Sequence, residues 1–101
     1  MLQAENKLGE MRDRIDEIDD AIADLLLKRL EYAEEAKDAK RGLKIAIRDG
    51  QREKEVIEKW RKRANRSDDS VGSKHDLREE MMRKMAKLII EYTLKNEIEE
   101  G

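Results

Sequence analysis

From position 8 to position 36, apolar residues recur at alternating steps of three and four residues, with one exception. The seam consists of Leu8, Met11, Ile15, Ile18, Ile22, Leu25, Arg29, Tyr32 and Ala36, with the arginine as its one charged member. A three–four alternation places all of these side chains on one face of an α-helix. The spacing therefore predicts a first helix over residues 4–41, about 57 Å long at the standard rise, with Gly42 as its C-terminal cap.

Two shorter helices are predicted to follow the first. Asp49 is a suitable N-cap for a second helix over residues 50–65, and Asp76 with Glu79 resembles a capping box that would begin a third helix over 77–99. The predicted inner faces are Glu53, Val56, Ile57, Trp60 and Ala64 on the second helix, and Leu77, Met81, Met85, Leu88, Ile89 and Tyr92 on the third. Because the chain lacks proline and is rich in helix-forming residues, we expect an all-α fold of three helices.

The size and composition of the chain limit the core that it can build alone. A length of 101 residues predicts a single domain over residues 1–101. Charged residues make up 48% of the chain, apolar residues make up 38%, and phenylalanine is absent, so a monomeric core would be thin. The first helix is also too long for one compact bundle of this size. We therefore expect a helical homodimer, in which a second copy packs along the first helix.

Composition also argues against several classes of function. The formal net charge of −2 predicts neither nucleic acid nor an anionic membrane as a partner. With no cysteine and one histidine, we expect no disulfide, no thiolate chemistry and no metal centre. No apolar run approaches the roughly 20 residues needed to span a bilayer, and the N-terminus lacks the layout of a signal peptide. The expected location is the cytoplasm.

Two cations occupy the part of the first helix that should be apolar. Arg29 falls on the seam, and Lys40 follows it after about 16 Å of rise and roughly 20° of rotation. Both side chains are long, so their tips could lean together and grip a small anion. Alternatively, Arg29 fixes the register of the packed helices or pairs with a glutamate, as polar seam residues do in other helical proteins.

Polar residues on the other helices support the anion-binding interpretation. Arg52 and Glu53 lie one turn before the apolar residues of the second helix, next to Asp49. Thr93 and Glu97, four residues apart, extend the buried line of the third helix. Because several segments direct polar groups inward, with a surplus of cations, we expect a dianionic ligand.

Arg12 can join this site only from a second chain. It precedes Arg29 by about 26 Å and 100° on the same helix, so it cannot reach the same pocket. If two first helices pair antiparallel, it can enter the pocket of the partner. An exposed arginine in a charge pattern with Asp13 and Asp16 is the alternative.

Taken together, these segments resemble the all-helical chorismate mutases of the AroQ type. The resemblance rests on MRDRIDEIDDAIADLLLKRLEYAEEAKDAK, IRDGQRE and LIIEYTLKNE, and it covers residues 8–64 and 77–100. The family signature is an early arginine, an arginine and a lysine eleven residues apart, the motif D-x-x-R-E, and Ser or Thr followed four residues later by Gln or Glu. Every element is present. The resemblance implies an intertwined homodimer that rearranges chorismate to prephenate without a cofactor.

The resemblance also implies a role for each candidate residue. Arg29 and Arg12 of the partner subunit would bind the two carboxylates of the substrate, with help from Thr93. Lys40 would contact a carboxylate and the ether oxygen, and Glu97 would be the second group at that oxygen. Glu97 donates a hydrogen bond only when protonated, so activity should decline as the pH rises. The ring hydroxyl would be held by Glu53 and the backbone of Asp49, while Arg52 would line the pocket.

Two other functions remain open at this point. An isochorismate pyruvate lyase uses the same scaffold and shares several cationic positions, although the intact motif of Asp49, Arg52 and Glu53 favours the mutase. A non-catalytic helical dimerisation module would explain the seam and the charge density, but it would leave Arg29, Lys40, Arg52 and Glu97 as coincidences.

Overall fold

The fold consists of three α-helices in chain order. The computed structural model describes residues 2–44, 46, 49–64 and 73–99. Helix α1 spans Leu2–Leu43, α2 spans Gly50–Arg63 and α3 spans Ser73–Glu99, and these described ranges contain no β-strand. The prediction of an all-α fold with three helices and a long first helix is confirmed. None of the helices in the described ranges is long and apolar enough to cross a membrane.

Helix α1 does not end at the predicted glycine cap. Gly42 lies inside the helix, which continues to Leu43. The residue that ends the helix is Lys44, whose φ of 60° is left-handed and whose backbone N–H donates to the carbonyl of Arg41 at 3.2 Å. A left-handed residue directly after a helix satisfies the last carbonyl groups, a role that glycine usually performs. Here a lysine adopts that conformation, at a steric cost of about 1–2 kcal/mol.

Helix α2 begins as predicted. Asp49 has extended backbone angles, and its Oδ1 accepts a hydrogen bond from the backbone N–H of Arg52 at 3.1 Å. The backbone N–H of Glu53 donates to the carbonyl of Asp49 at 3.0 Å, which closes the first helical turn. Asp49 is therefore the N-cap, and it satisfies one of the amides that a helix start leaves without a partner. The predicted second helix extended to residue 65, which lies outside the described residues.

Helix α3 begins four residues before its predicted start. Asp76 lies in the first turn, where a carboxylate still suits the helix dipole, so the predicted capping box of Asp76 and Glu79 is wrong. The physical reason is that residues 73–75 include no glycine or proline, so nothing in that stretch stops the helix. Glu79 instead accepts a hydrogen bond from Nη1 of Arg61 on α2 at 2.8 Å. The part of the predicted loop over 65–72 lies outside the described residues.

The chain divides into two compact units, Met1–Ala36 and Lys37–Gly101. The first unit is formed by most of α1, and its apolar seam faces solvent. The side chains of Leu8, Ile15, Ile18, Ile22 and Leu25 are between 49% and 65% exposed. In the second unit α2 packs against α3, and Val56, Ala64 and Ala86 are buried.

The predicted inner face is right for α2 and, apart from the half-buried Ile89, wrong for α3. On α2, Val56 and Ala64 are buried, and Glu53, Ile57 and Trp60 are half-buried. On α3, the predicted residues Leu77, Met81, Met85, Leu88 and Tyr92 are exposed. The less exposed face of α3 instead carries Glu79, Met82, Ala86, Ile89, Ile90, Thr93 and Glu97. Two stripes on this helix have helical spacing, and spacing alone does not say which one packs within the chain.

Candidate active site

The second unit contains six of the eight predicted site residues. These are Lys40 at the end of α1, Asp49, Arg52 and Glu53 at the start of α2, and Thr93 and Glu97 near the end of α3. Arg12 and Arg29 lie in the first unit. The second unit thus contains candidate residues from all three helices.

Both cations of α1 that motivated the site are partly withdrawn from solvent. Arg29 and Lys40 are half-buried, whereas Arg12 is exposed. One further cation was not predicted. Lys37, one turn before Lys40, is only 5% exposed and is more buried than either. The signal that could have found it is the helical spacing of Leu30, Ala33 and Lys37, because residues four and seven positions apart share one face of a helix.

The start of α2 presents one half-buried and one exposed charged residue. Glu53 is half-buried, and its carboxylate oxygen Oε2 is buried. Arg52 was predicted to lie on or beside the inward face, but its side chain is 68% exposed. Its Nη1 lies 3.8 Å from Oε2 of Glu55, one turn along the outer surface. An exposed pair at this distance contributes little, so the guanidinium of Arg52 is only weakly held there.

The end of α3 carries a hydroxyl and a buried carboxyl group. Thr93 is half-buried, and its Oγ1 donates a hydrogen bond to the backbone carbonyl of Ile89 at 2.7 Å. A hydroxyl has one proton, so Thr93 must leave this carbonyl before it can donate to another group. Glu97, one turn later, is 5% exposed.

The described residues offer no cluster of three or more His, Cys, Asp and Glu side chains that could hold a metal ion. The chemistry of the second unit is instead that of ammonium, carboxyl and hydroxyl groups on a helical scaffold. Such groups bind an anion and stabilise developing charge, and neither task needs a covalent intermediate.

Comparison with known proteins decides the family. The family described as chorismate mutase type II matches residues 11–98. The chain belongs to this family. A chorismate mutase of Methanocaldococcus jannaschii is 37% identical over 70 residues, which cover 67% of this chain and 71% of that protein. No solved structure matches the chain significantly.

These comparisons confirm the predicted family and its activity, because type II is the all-helical AroQ class of chorismate mutase, an isomerase. The match extends across both compact units and includes all eight candidate residues. Their individual roles, and the contribution of a second chain, are predictions that the comparisons do not test.

Proposed function

We propose that the chain rearranges chorismate to prephenate in a site formed by both subunits of a homodimer. The observation that carries this proposal is the withdrawal of Lys40, Glu53, Thr93 and Glu97 from solvent within one helical unit, in a member of the chorismate mutase type II family. Burial of such groups costs free energy that pairing offsets only in part, and groups of this kind collected in one unit are typical of a functional site. The predicted cytoplasmic location stays a prediction.

The exposed apolar seam of α1 supports the dimer. Five Leu and Ile side chains of the seam are at least 49% exposed, and they recur at helical spacing. Single exposed apolar residues are common on protein surfaces, but they do not line up along one face of a helix. A continuous apolar stripe of this length is typical of a protein–protein interface. A second copy would cover the stripe, and the stripe on α3 from Leu77 to Tyr92 offers further apolar surface to it.

The second copy would also supply Arg12. This side chain is exposed and lies in the first unit, on the helix that carries the seam. We propose that Arg12 of each subunit binds a carboxylate of the substrate in the site of the other subunit, opposite Arg29. A guanidinium suits this task because its planar donors match both oxygens of a carboxylate.

The reaction is a pericyclic rearrangement, in which one C–O bond breaks as one C–C bond forms. It needs no nucleophile and no proton relay. It does need the enolpyruvyl arm of the substrate to fold over the ring, which two well-placed carboxylate sites enforce. The breaking bond leaves negative charge on the ether oxygen, and we propose that Lys40 and protonated Glu97 stabilise it. Glu53 and the backbone of Asp49 would bind the ring hydroxyl, while Arg52 and Thr93 would complete the carboxylate site.

Product analysis tests this proposal against its two alternatives. Purified protein is incubated separately with chorismate and with isochorismate, and the products are identified. Prephenate from chorismate is the expected result. Pyruvate from isochorismate, without turnover of chorismate, would establish the lyase instead. If folded protein turns over neither compound, the non-catalytic helical dimerisation module would be the remaining interpretation.

A further inference from the structure

A buried lysine that the proposed mechanism does not use lies one helical turn before Lys40. Lys37 and Glu97 are the two buried charged residues of the described chain, each 5% exposed. Residues three apart on a helix are neighbours, separated by about 4.5 Å of rise and 60° of rotation. Lys37 and Lys40 therefore continue the helix face on which Leu30 and Ala33 are half-buried.

A lysine at this position needs a physical reason. Withdrawing an ammonium group from water costs several kcal/mol, whereas a leucine would extend the apolar face without that penalty. Lys37 has an interaction partner in the structure, and a partner makes burial tolerable. It does not account for a cation on an otherwise apolar face, next to a second half-buried cation and in the same unit as Glu53, Thr93 and Glu97.

We propose that Lys37 is an additional substrate-binding cation, which supplies positive charge for a carboxylate of the dianionic substrate. The inference rests on the proposed function, and it adds a residue to that site. The flexible four-carbon stem of lysine allows the ammonium to move from its present partner to a carboxylate. At a buried position its charge acts through a lower effective dielectric than at the surface, which strengthens the attraction.

The chemistry of the reaction predicts whether loss of Lys37 changes KM or kcat. The substrate carboxylates keep their charge throughout the rearrangement. A cation that only adds charge beside a carboxylate already positioned by an arginine therefore stabilises the ground state and the transition state nearly equally. Loss of such a cation raises KM and leaves kcat nearly unchanged. Loss of Lys40, which is proposed to act on the ether oxygen, should lower kcat instead. An effect on KM for Lys37 and on kcat for Lys40 would distinguish the roles of the two lysines.

Steady-state kinetics with chorismate test the inference. The variants are Lys37→Met, Lys37→Arg and, as a control for charge, Lys87→Met at an exposed lysine of α3. We expect Lys37→Met to raise KM by about tenfold or more, the loss typical of a hydrogen bond to a charged group, with kcat within about twofold. The inhibition constant of prephenate, the dianionic product, should rise by a similar factor. Lys37→Arg should retain most of the affinity, and Lys87→Met should match the wild type.

Stability measurements separate a binding role from a structural one. Replacing a buried cation by an apolar side chain of similar volume is often neutral or stabilising, so Lys37→Met should stay folded in urea titrations. Should it unfold, Lys37→Gln provides the same kinetic comparison. An unchanged KM in a folded variant, or a fall in kcat alone, would overturn the role of Lys37 while leaving the mutase intact. Failure of the wild type to form prephenate would instead overturn the proposed function.

Discussion

Arg61 on α2 and Glu79 on α3 form an ion pair in which Nη1 lies 2.8 Å from Oε1. The same guanidinium donates from Nε to both carboxylate oxygens of Glu58, one turn earlier on α2, at 3.0 and 3.1 Å. The Arg61 and Glu79 side chains are 27% and 18% exposed, so this pair is better shielded than the pair of Lys84 and Glu80, whose side chains are 74% and 49% exposed. It connects the last turn of α2 to the N-terminal part of α3.

Glu79→Gln should therefore lower the melting temperature, because a shielded guanidinium loses one of its two charged partners, the one that connects α2 to α3. The matched control is Glu80→Gln. Glu80 lies beside it and pairs with Lys84 at 2.9 Å, but on an exposed helix surface where such a pair contributes little. Circular dichroism at equal protein concentration measures both variants. Equal effects of the two substitutions would contradict a special role for the Arg61–Glu79 pair.

The Arg61–Glu58 pair predicts a specific sensitivity to acid. Hydrogen bonds from Arg61 lower the pKa of Glu58 below its ordinary value of 4.5. A carboxylate with a lowered pKa in the folded state contributes stability at neutral pH, and the contribution disappears as the pH falls below 4.5 through the folded value. Glu58→Gln should be less stable than the wild type at neutral pH, and the two should converge in acid. A difference in stability between the two proteins that stays constant with pH would show that ionisation of Glu58 does not contribute to stability.

The cap at the start of α2 predicts a third effect on stability. Asp49→Ala removes the acceptor for the amide of Arg52 and should lower the free energy of unfolding by about 1 kcal/mol. Asp49→Asn keeps a side-chain oxygen at the same place, so it should cost much less. Urea titration of both variants measures the difference. If asparagine were as destabilising as alanine, the charge of Asp49 rather than its hydrogen bond would be the stabilising feature.

The sequence predicted the number and order of the helices, but not all of their faces, and α1 shows why. The predicted seam repeats every 3.5 residues, whereas a straight helix has 3.6 residues per turn and drifts by about 20° per heptad. Over the four heptads from Leu8 to Ala36 the drift reaches about 80°, nearly the angle between adjacent residues. Accordingly Ala36 is exposed and Lys37 is buried. The site residues were found through chemistry and family spacing, whereas Lys37 needed the actual phase of the helix.

The pH dependence of catalysis tests the role of Glu97. If this residue donates a hydrogen bond to the ether oxygen, kcat should decline as the pH rises through its ionisation, by about tenfold for each further pH unit. Glu97→Gln carries an N–H donor at every pH and should give a flat profile. Rates measured from acid to mildly alkaline pH, with the oligomeric state checked at each, decide the matter. A flat profile in the wild type, or a slope that persists in Glu97→Gln, would exclude this role.

Complementation between two inactive variants tests whether the site is shared between subunits. Arg29→Ala and Arg12→Ala should each lower kcat/KM by roughly 10²–10³-fold, since loss of one partner of a buried, hydrogen-bonded charge pair costs about 2–5 kcal/mol. Helicity should stay unchanged in both. If Arg12 acts in the site of the partner, a mixed dimer contains one site with both arginines intact and one site with neither.

Random exchange of subunits would make half of the dimers mixed, so activity should return to about a quarter of the wild-type value. The control is each variant carried through the same unfolding and refolding alone, which should stay inactive. Size-exclusion chromatography with light scattering confirms that the mixture is dimeric. If the mixture is no more active than its components, the site is not shared in the proposed way. Either Arg12 and Arg29 of the same chain would act in one site, or Arg12 would not belong to the site. Full wild-type activity from Arg12→Ala alone would assign that arginine to the solvent-exposed charge pattern with Asp13 and Asp16.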